Sequence, residues 1–364
     1  MNGTSVFHLA NPQTCMQRRN FFIKTGLMAI AAGLQLPPGM GQIPKNAPIT
    51  RHKPNRLRPG ATVGLIAPGS PIGEEKYAKT LANIAALGFH IKEGQSTRAS
   101  HGFLAGTDEQ RLADLHAAFA DPEIEAVWCI RGGYGAMRLL PQIDYELIRR
   151  HPKPFIGYSD ITALHLAFYH RTGLVCFHGP VAASDFPEDT VQYFRDVLME
   201  PVAGHFVAVP AVAEAVPPGQ EFQPLVITAG RAQGPLVGGN LSLLSAMAGT
   251  PYLPSFKDKI VFIEDIGEQP YRIDRMLYQL AQATDFMQAA GVVLGVFNDC
   301  NPKGSSPSLT LVETLTEFFS QWKVPVAYGL PFGHIAHQAT LPYGILAELD
   351  TAKGRLTLLE TAVE

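Results

Sequence analysis

The first half of this sequence predicts a doubly wound α/β fold. From residue 61 onward, short apolar runs alternate with amphipathic stretches of helical spacing. The apolar runs lack polar alternation, as expected of parallel strands covered on both faces. Several of them end in loops rich in glycine and proline. Strand–helix alternation of this kind builds an open α/β sheet whose working loops lie at the carboxyl ends of the strands.

Ala61–Ala67 reads as the first buried strand, broken by Pro68-Gly-Ser-Pro71. Glu74–Leu87 follows as an amphipathic helix stopped by Gly88, and Phe89–Ile91 as a short strand. Asp108–Ala120 is a second helix, ended by Asp121-Pro122, and Ile124–Ile130 is a strand running into Arg131-Gly-Gly-Tyr-Gly135. Phe155–Tyr158 is the apolar end of another strand, and Ile161–Tyr169 is helical without Gly or Pro. Leu174–Phe177 is a strand closing at His178-Gly-Pro180, and Glu188–Met199 is the last helix of this half. A Pro- and Val-rich stretch of weak periodicity, 201–230, reads as a connection between an N-terminal domain at 55–200 and a C-terminal domain at 231–364.

In the second half, Gly234–Gly249 reads as a strand end, a Gly-Gly-Asn turn and a short helix. Lys259–Ile263 is a buried strand with Glu264 and Asp265 at its carboxyl end, and Tyr271–Ala283 is helical. Gly291–Asn298, Leu309–Trp322 and Val324–Tyr328 follow as strand, helix and strand. Gly329–Gly344 carries too much Gly and Pro for regular structure and reads as a loop. Ile345–Leu349 and Leu356–Leu359 are predicted to form a hairpin turning near Lys353-Gly354.

The 364 residues are 46% hydrophobic and 17% charged with a formal net charge of −3, which offers no basic excess for nucleic acid. Residues 1–45 differ from the rest. Gln17-Arg18-Arg19-Asn20-Phe21-Phe22 precedes an apolar run, Thr25–Leu36, too short to span a bilayer, for which about 20 apolar residues are needed. The pattern is that of a twin-arginine export signal, so an exported, periplasmic protein with no stable membrane span is expected; the alternative is a frayed N-terminus and a cytoplasmic protein. Cys15 lies ahead of the arginines, and Cys129, Cys176 and Cys300 are widely spaced in apolar surroundings, without metal-ligand spacing. No metal or other cofactor is expected.

Ser159 and Asp160 sit where a strand turns sharply into a helix. A serine there either caps the helix or lifts a nucleophilic hydroxyl off the sheet edge, in front of free helix N–H groups. The glycines of the 131–135 loop permit close backbone approach and could supply N–H donors to an oxyanion; their spacing is neither a dinucleotide fingerprint nor a P-loop. A nucleophilic serine needs a base and a carboxylate to hold that base. Of 12 histidines, His334 lies in an irregular loop, where chemistry is often placed, with His178 and His337 as further candidates. Glu264 and Asp265 are the best-placed carboxylates, either for that role or for an ion pair with Arg272 or Arg275.

These segments resemble the L,D-carboxypeptidase family of serine peptidases, which includes muramoyl-tetrapeptide carboxypeptidases and microcin-resistance peptidases. The likeness lies in Arg131-Gly-Gly-Tyr-Gly, Ile156-Gly-Tyr-Ser-Asp-Ile-Thr162, Pro235–Leu241, Phe262–Glu268 with Tyr271–Arg275, and Gly333-His334 ahead of Leu341-Pro342. It implies a flavodoxin-like N-terminal α/β domain, a β-rich α/β C-terminal domain, and an active site at their interface. By that resemblance Ser159 is the nucleophile, His334 the base, Glu264 its orienter, and the N–H groups of Asp160 and Gly133 the oxyanion hole. Arg131, Gly132 and Tyr134 become candidate substrate contacts. The implied substrate is a murein tetrapeptide or muropeptide losing its terminal D-alanine, and a homodimer is possible. Other readings are a relative cleaving a peptidyl-nucleotide or similar conjugate, or an exported binding protein without chemistry. The elbow has Ile161 where the hydrolase G-x-S-x-G has its last glycine, which argues against an α/β-hydrolase.

Overall fold

Apolar runs too short to be stable alone pair into two sheets, and the way these meet positions the site. The structure is a computed structural model that describes residues 49–208 and 224–364; the twin-arginine segment and Cys15 lie outside them. The first sheet contains β1 (Thr62–Ile66), β2 (His90–Glu93), β3 (Ala126–Cys129), β4 (Phe155–Gly157) and β5 (Phe177–His178), parallel throughout, in the order β2-β1-β3-β4-β5. This is the flavodoxin-type order, whose direction reverses between β1 and β3 and opens a crevice at the carboxyl ends there. Helices α1 (Glu74–Ala86), α2 (Asp108–Ala120), α3 (Tyr145–Arg150), α4 (Thr162–Thr172) and α5 (Glu188–Leu198) accompany it. Thr107 and Gln110 close a capping box on α2, which fixes where that helix starts.

The second half forms an eight-stranded sheet. Its parallel centre is β8 (Arg231–Asn240), β9 (Ile260–Ile266), β10 (Gly291–Asn298) and β11 (Val326–Gly333). The antiparallel hairpin of β13 (Leu346–Asp350) and β14 (Arg355–Leu358) extends it beyond β8, and β6 (Phe206–Ala208) and β7 (Leu225–Thr228) are its two edges. The segment read as an interdomain connection therefore donates both edge strands. Three helices, α6 (Leu241–Met247), α7 (Pro270–Ala283) and α8 (Leu311–Phe319), belong to this half. In α7 the buried residues Pro270, Ile273, Leu277 and Leu280 recur at three- and four-residue steps, the stripe that docks a helix.

Two segments differ from their sequence reading. Gly238 and Gly239 lie inside β8, not in a turn, because bare backbone is needed there. A Cβ on Gly238 would collide with the carbonyl of Phe262, and one on Gly239 would lie 2.5 Å from Thr162, at the head of α4. Likewise the Gly- and Pro-rich 329–344 segment is not all loop. β11 runs through Gly329 and Gly333, whose left-handed φ values of 95° and 114° absorb a shift of register against β10. Beyond it, β12 (Leu341–Pro342) crosses to the first sheet and pairs antiparallel with β5. One contiguous buried apolar cluster, including Val63, Trp128, Phe155, Phe262, Val293 and Tyr343, runs through both halves. Among the described residues, no helix is long and apolar enough to cross a membrane.

Candidate active site

Three loops at the carboxyl ends of β1, β3 and β4 are bonded into one platform. Ser70, after β1, donates its N–H to Gly132 O at 3.0 Å, and its Oγ accepts from Tyr134 N at 3.1 Å. Asp160, after β4, accepts from Ala136 N at 2.9 Å. The Asp160 carboxyl is buried, and burial pushes it above its ordinary value despite these backbone donors. The side chain of Asp160 thus ties the elbow to the glycine loop, whereas the sequence reading gave this residue only an oxyanion-hole N–H.

Ser159 itself has φ 64°, in the left-handed region, which costs a non-glycine residue about 1–2 kcal/mol. A short 3-10 turn, Ser159–Ile161, leads into α4, and neither start carries a side-chain cap. Ser159 therefore makes no capping hydrogen bond; the contact of its hydroxyl is with an imidazole. The hydroxyl lies 3.0 Å from His334 Nε2. Gly132 closes on this elbow: a Cβ there would sit 3.0 Å from Ser159 Cβ and 3.3 Å from Asp160 N. Gly133, with φ 93°, packs on Ser70 and is exposed. Arg131 is exposed and donates to Pro71 O at 2.7 Å, and Tyr134 is exposed with its ring 5.3 Å from that of Phe103.

His334 stands just past β11, where the chain leaves the second sheet for β12. Its Nδ1 lies 2.7 Å from Glu264 Oε2, and its backbone carbonyl accepts from Asn298 Nδ2 at 2.8 Å. Gly333 makes this approach possible, since a Cβ there would lie 3.0 Å from both Cβ and Oε2 of Glu264. Tyr158 covers the imidazole edge-on, with ring centroids 4.9 Å apart. Burial pulls His334 down, but the adjacent Glu264 carboxylate outweighs it and leaves the imidazole above its ordinary pKa. For Glu264, at the end of β9 and fully buried, burial pushes upward and His334 more than offsets it, leaving the carboxyl below its ordinary value. Each group holds the other in its charged form.

Adjacent side chains on a strand point to opposite faces, so Asp265 looks away from His334. It accepts from Asn240 Nδ2 at 3.0 Å, from Ser242 N at 2.9 Å and from Ser242 Oγ at 2.8 Å. Burial and the neighbouring Glu264 raise its carboxyl to about 6. Neither carboxylate takes the arginine partner that the sequence allowed: Arg272 bonds Glu268 at 3.5 Å, and Arg275 lies over the ring of Tyr271. His337 is exposed and paired with Asp189 at 2.8 Å. His178 is fully buried, and burial pulls its imidazole down to about 4. Of the three histidines singled out, only His334 meets Ser159. Cys129, Cys176 and Cys300 are buried thiols, as their apolar surroundings predicted.

Sequence reasoning missed Ser70, Thr162 and Asn240. Asn240 N donates to Thr162 Oγ1 at 3.1 Å, a bond directly between the two sheets' elements beside the elbow. The Pro-Gly-Ser break after β1 is the signal for Ser70, and Thr162 and Asn240 lie within the family-like segments Ile156–Thr162 and Pro235–Leu241 without a role assigned to them. Among the described residues, no group of three or more His, Cys, Asp or Glu is placed to hold a metal ion.

Two family models match the chain: the LD-carboxypeptidase N-terminal domain over residues 63–179 and the LD-carboxypeptidase C-terminal domain over residues 233–349. The chain belongs to the LD-carboxypeptidase family. It is a serine-type carboxypeptidase. A protein of Bacillus subtilis named probable murein peptide carboxypeptidase is 39% identical over 317 residues, covering 86% of this chain and 95% of its own length. The murein tetrapeptide carboxypeptidase of Pseudomonas aeruginosa is 38% identical over 294 residues, covering 79% and 92%. The crystal structure of muramoyltetrapeptide carboxypeptidase from Oxalobacter formigenes superposes with a TM-score of 0.70 at 29% identity, covering 83% of this chain and 99% of that one.

Proposed function

We propose that this LD-carboxypeptidase removes the terminal D-alanine from murein tetrapeptide stems through an acyl-enzyme on Ser159. The observation that carries the reading is the chain of contacts from Ser159 Oγ to His334 Nε2, 3.0 Å, and from His334 Nδ1 to Glu264, 2.7 Å. Neutral His334 takes the Ser159 proton as Oγ attacks the carbonyl carbon of the L-centre. The N–H groups of Asp160 and Gly133 receive the oxyanion, an interaction worth roughly 3 kcal/mol per donor. The C–N bond then breaks, His334 gives its proton to the leaving amine, and D-alanine departs. Water adds to the ester with His334 again as base, and the Ser159–acyl bond breaks as the serine regains its proton. Glu264 stays ionised and stabilises the imidazolium. Arg131, exposed at the mouth, is the candidate partner for the terminal carboxylate that a carboxypeptidase must recognise.

The substrate reading is supported by the names of the relatives from B. subtilis and P. aeruginosa. Purified protein incubated with murein tetrapeptide is expected to release free D-alanine; no release by the wild type overturns the substrate, and release persisting in Ser159→Ala overturns the mechanism. We further propose export by the twin-arginine segment, motivated by Arg18 and Arg19 ahead of the apolar run. Cell fractionation tests this: Arg18→Lys with Arg19→Lys should trap the protein in the cytoplasm, and unchanged distribution refutes export by this route.

A further inference from the structure

Behind the triad lies a histidine that the reaction does not use. Phe262 and Glu264 are two residues apart on β9 and so share a face. Phe262 packs its ring 5.3 Å from that of His178, while Glu264 turns one oxygen, Oε2, to His334. His178 and Glu264 lie within electrostatic reach of each other. Both nitrogens of His178 and the second oxygen of the carboxylate, Oε1, are buried without a hydrogen-bond partner from the protein. So is Oγ1 of Thr340, which precedes the Leu341 that pairs with His178 across β5 and β12. Thr340 Oγ1 lies beside the next residue along, 3.0 Å from where a Cβ on Gly179 would be.

Orphan polar atoms of matching type, walled by Tyr158, Phe262 and Phe332, are what a buried water joins. We propose that His178 is a positioning residue for the triad: with Glu264 Oε1 and Thr340 Oγ1 it holds one buried water, through which the neutral imidazole bonds the second oxygen of the carboxylate. The inference rests on the triad reading given above. A neutral imidazole has one N–H donor and one acceptor, and a water can accept the first and donate to Oε1. Glu264 is then held by both oxygens, which fixes the carboxylate that orients His334. The ionisable and polar groups facing this pair come from every neighbouring element: His334 just past β11, His165 from α4, Tyr158 after β4, Tyr343 after β12, Asn240 at the end of β8, whose side chain acts on Glu264 as well as on Asp265, and Asp265 on the far side of β9.

The test uses His178→Phe, which keeps the ring and loses the polar atoms, and His178→Gln, which keeps a donor. A donor to the charged carboxylate lowers its pKa, so its loss raises it. NMR titration of the Glu264 carboxyl in Ser159→Ala protein, with no substrate present, should move upward by about half a unit or more in His178→Phe and return in His178→Gln. That readout does not depend on which peptide the enzyme cleaves. In the active protein, His178→Phe should lower kcat about tenfold with KM within about twofold, and His178→Gln should recover most of the loss. An unmoved Glu264 titration, or equal losses in both variants, overturns the inference in favour of packing alone. If His178→Phe does not fold, a high-resolution crystal structure of the wild type decides. An ordered water within hydrogen-bond distance of His178 and Glu264 Oε1 sustains the proposal, and none there overturns it.

Discussion

On the serine side of the site, Ser159 takes its place from contiguous chain: strand β4, a strained residue, a 3-10 turn and a helix. On the histidine side, Glu264 and His334 stand 70 residues apart and are brought together by the pairing of β9, β10 and β11. The first side is set by backbone conformation, the second by charge. The left-handed φ of Ser159 persists because the glycine loop and the buried Asp160 over-determine the elbow. The Glu264–His334 contact persists because a buried carboxyl and a half-buried imidazole each favour the other's ionisation. Substitutions that act on conformation and on charge should therefore separate the two sides.

The largest effect falls on the serine. Ser159→Ala should reduce D-alanine release by at least about 10³-fold, leaving what binding and oxyanion donors supply. Ser159→Gly should be equally inactive but more stable by about 1 kcal/mol, because glycine accepts a positive φ. Thermal melts of the two variants would contradict the strain argument if Gly were no more stable than Ala.

Next comes the charge. Glu264→Gln should lower kcat by about 10³- to 10⁴-fold, as when the buried acid of a serine triad becomes an amide. In the proposed mechanism His334 acts as base only when neutral, and Glu264 holds its proton on. The acid limb of the wild-type kcat/KM profile is therefore expected to be shifted up from the ordinary imidazole value, and in Glu264→Gln to move to lower pH. For stability the signs are opposite. The lowered Glu264 contributes above its unfolded pKa and loses that contribution as pH falls. The raised His334 contributes fully below the unfolded imidazole pKa and loses that contribution as pH rises through its folded value. The pair thus stabilises most between the ordinary carboxylate and imidazole values, and a stability–pH curve of Glu264→Gln should lose that hump.

A smaller effect is expected at Gly333. Gly333→Ala adds a Cβ 3.0 Å from Glu264 at a φ of 114°, so kcat should fall about 10- to 100-fold with KM little changed. Equal kinetics would mean the histidine side tolerates displacement. Least in activity is Asp160→Ala. It leaves the buried Ala136 N–H unpaired and should cost about 1–3 kcal/mol in denaturant unfolding, with a modest loss of rate.

The same contrast explains what could be read from the sequence. The order of strands and helices in the first half, and the elbow, are local patterns, and Asp108–Ala120 is placed to the residue. His334 and Glu264 could be shortlisted from their loop and strand-end positions, but only a family resemblance joined them to Ser159. Glycine misled twice. At 238–239 and 329–333 it marks close approach and register shift inside strands, whereas single-sequence reading takes it as a breaker. Ser70 and the Asp160 carboxylate act across loops that meet only in the folded chain, so the Pro-Gly-Ser break marks Ser70 only as the end of a strand and nothing local announces the contact of Asp160.

The crossing strand β12 bears on how the molecule comes apart. Leu341–Pro342 is stitched into the first sheet while the strands before and after it, β11 and β13, belong to the second. Separating the sheets would require unzipping β12 from β5 and dragging His334 with it. The two sheets should therefore melt in a single cooperative transition. Arg131, Gly133 and Tyr134 stay exposed beside the elbow when the two sheets are held together in this way.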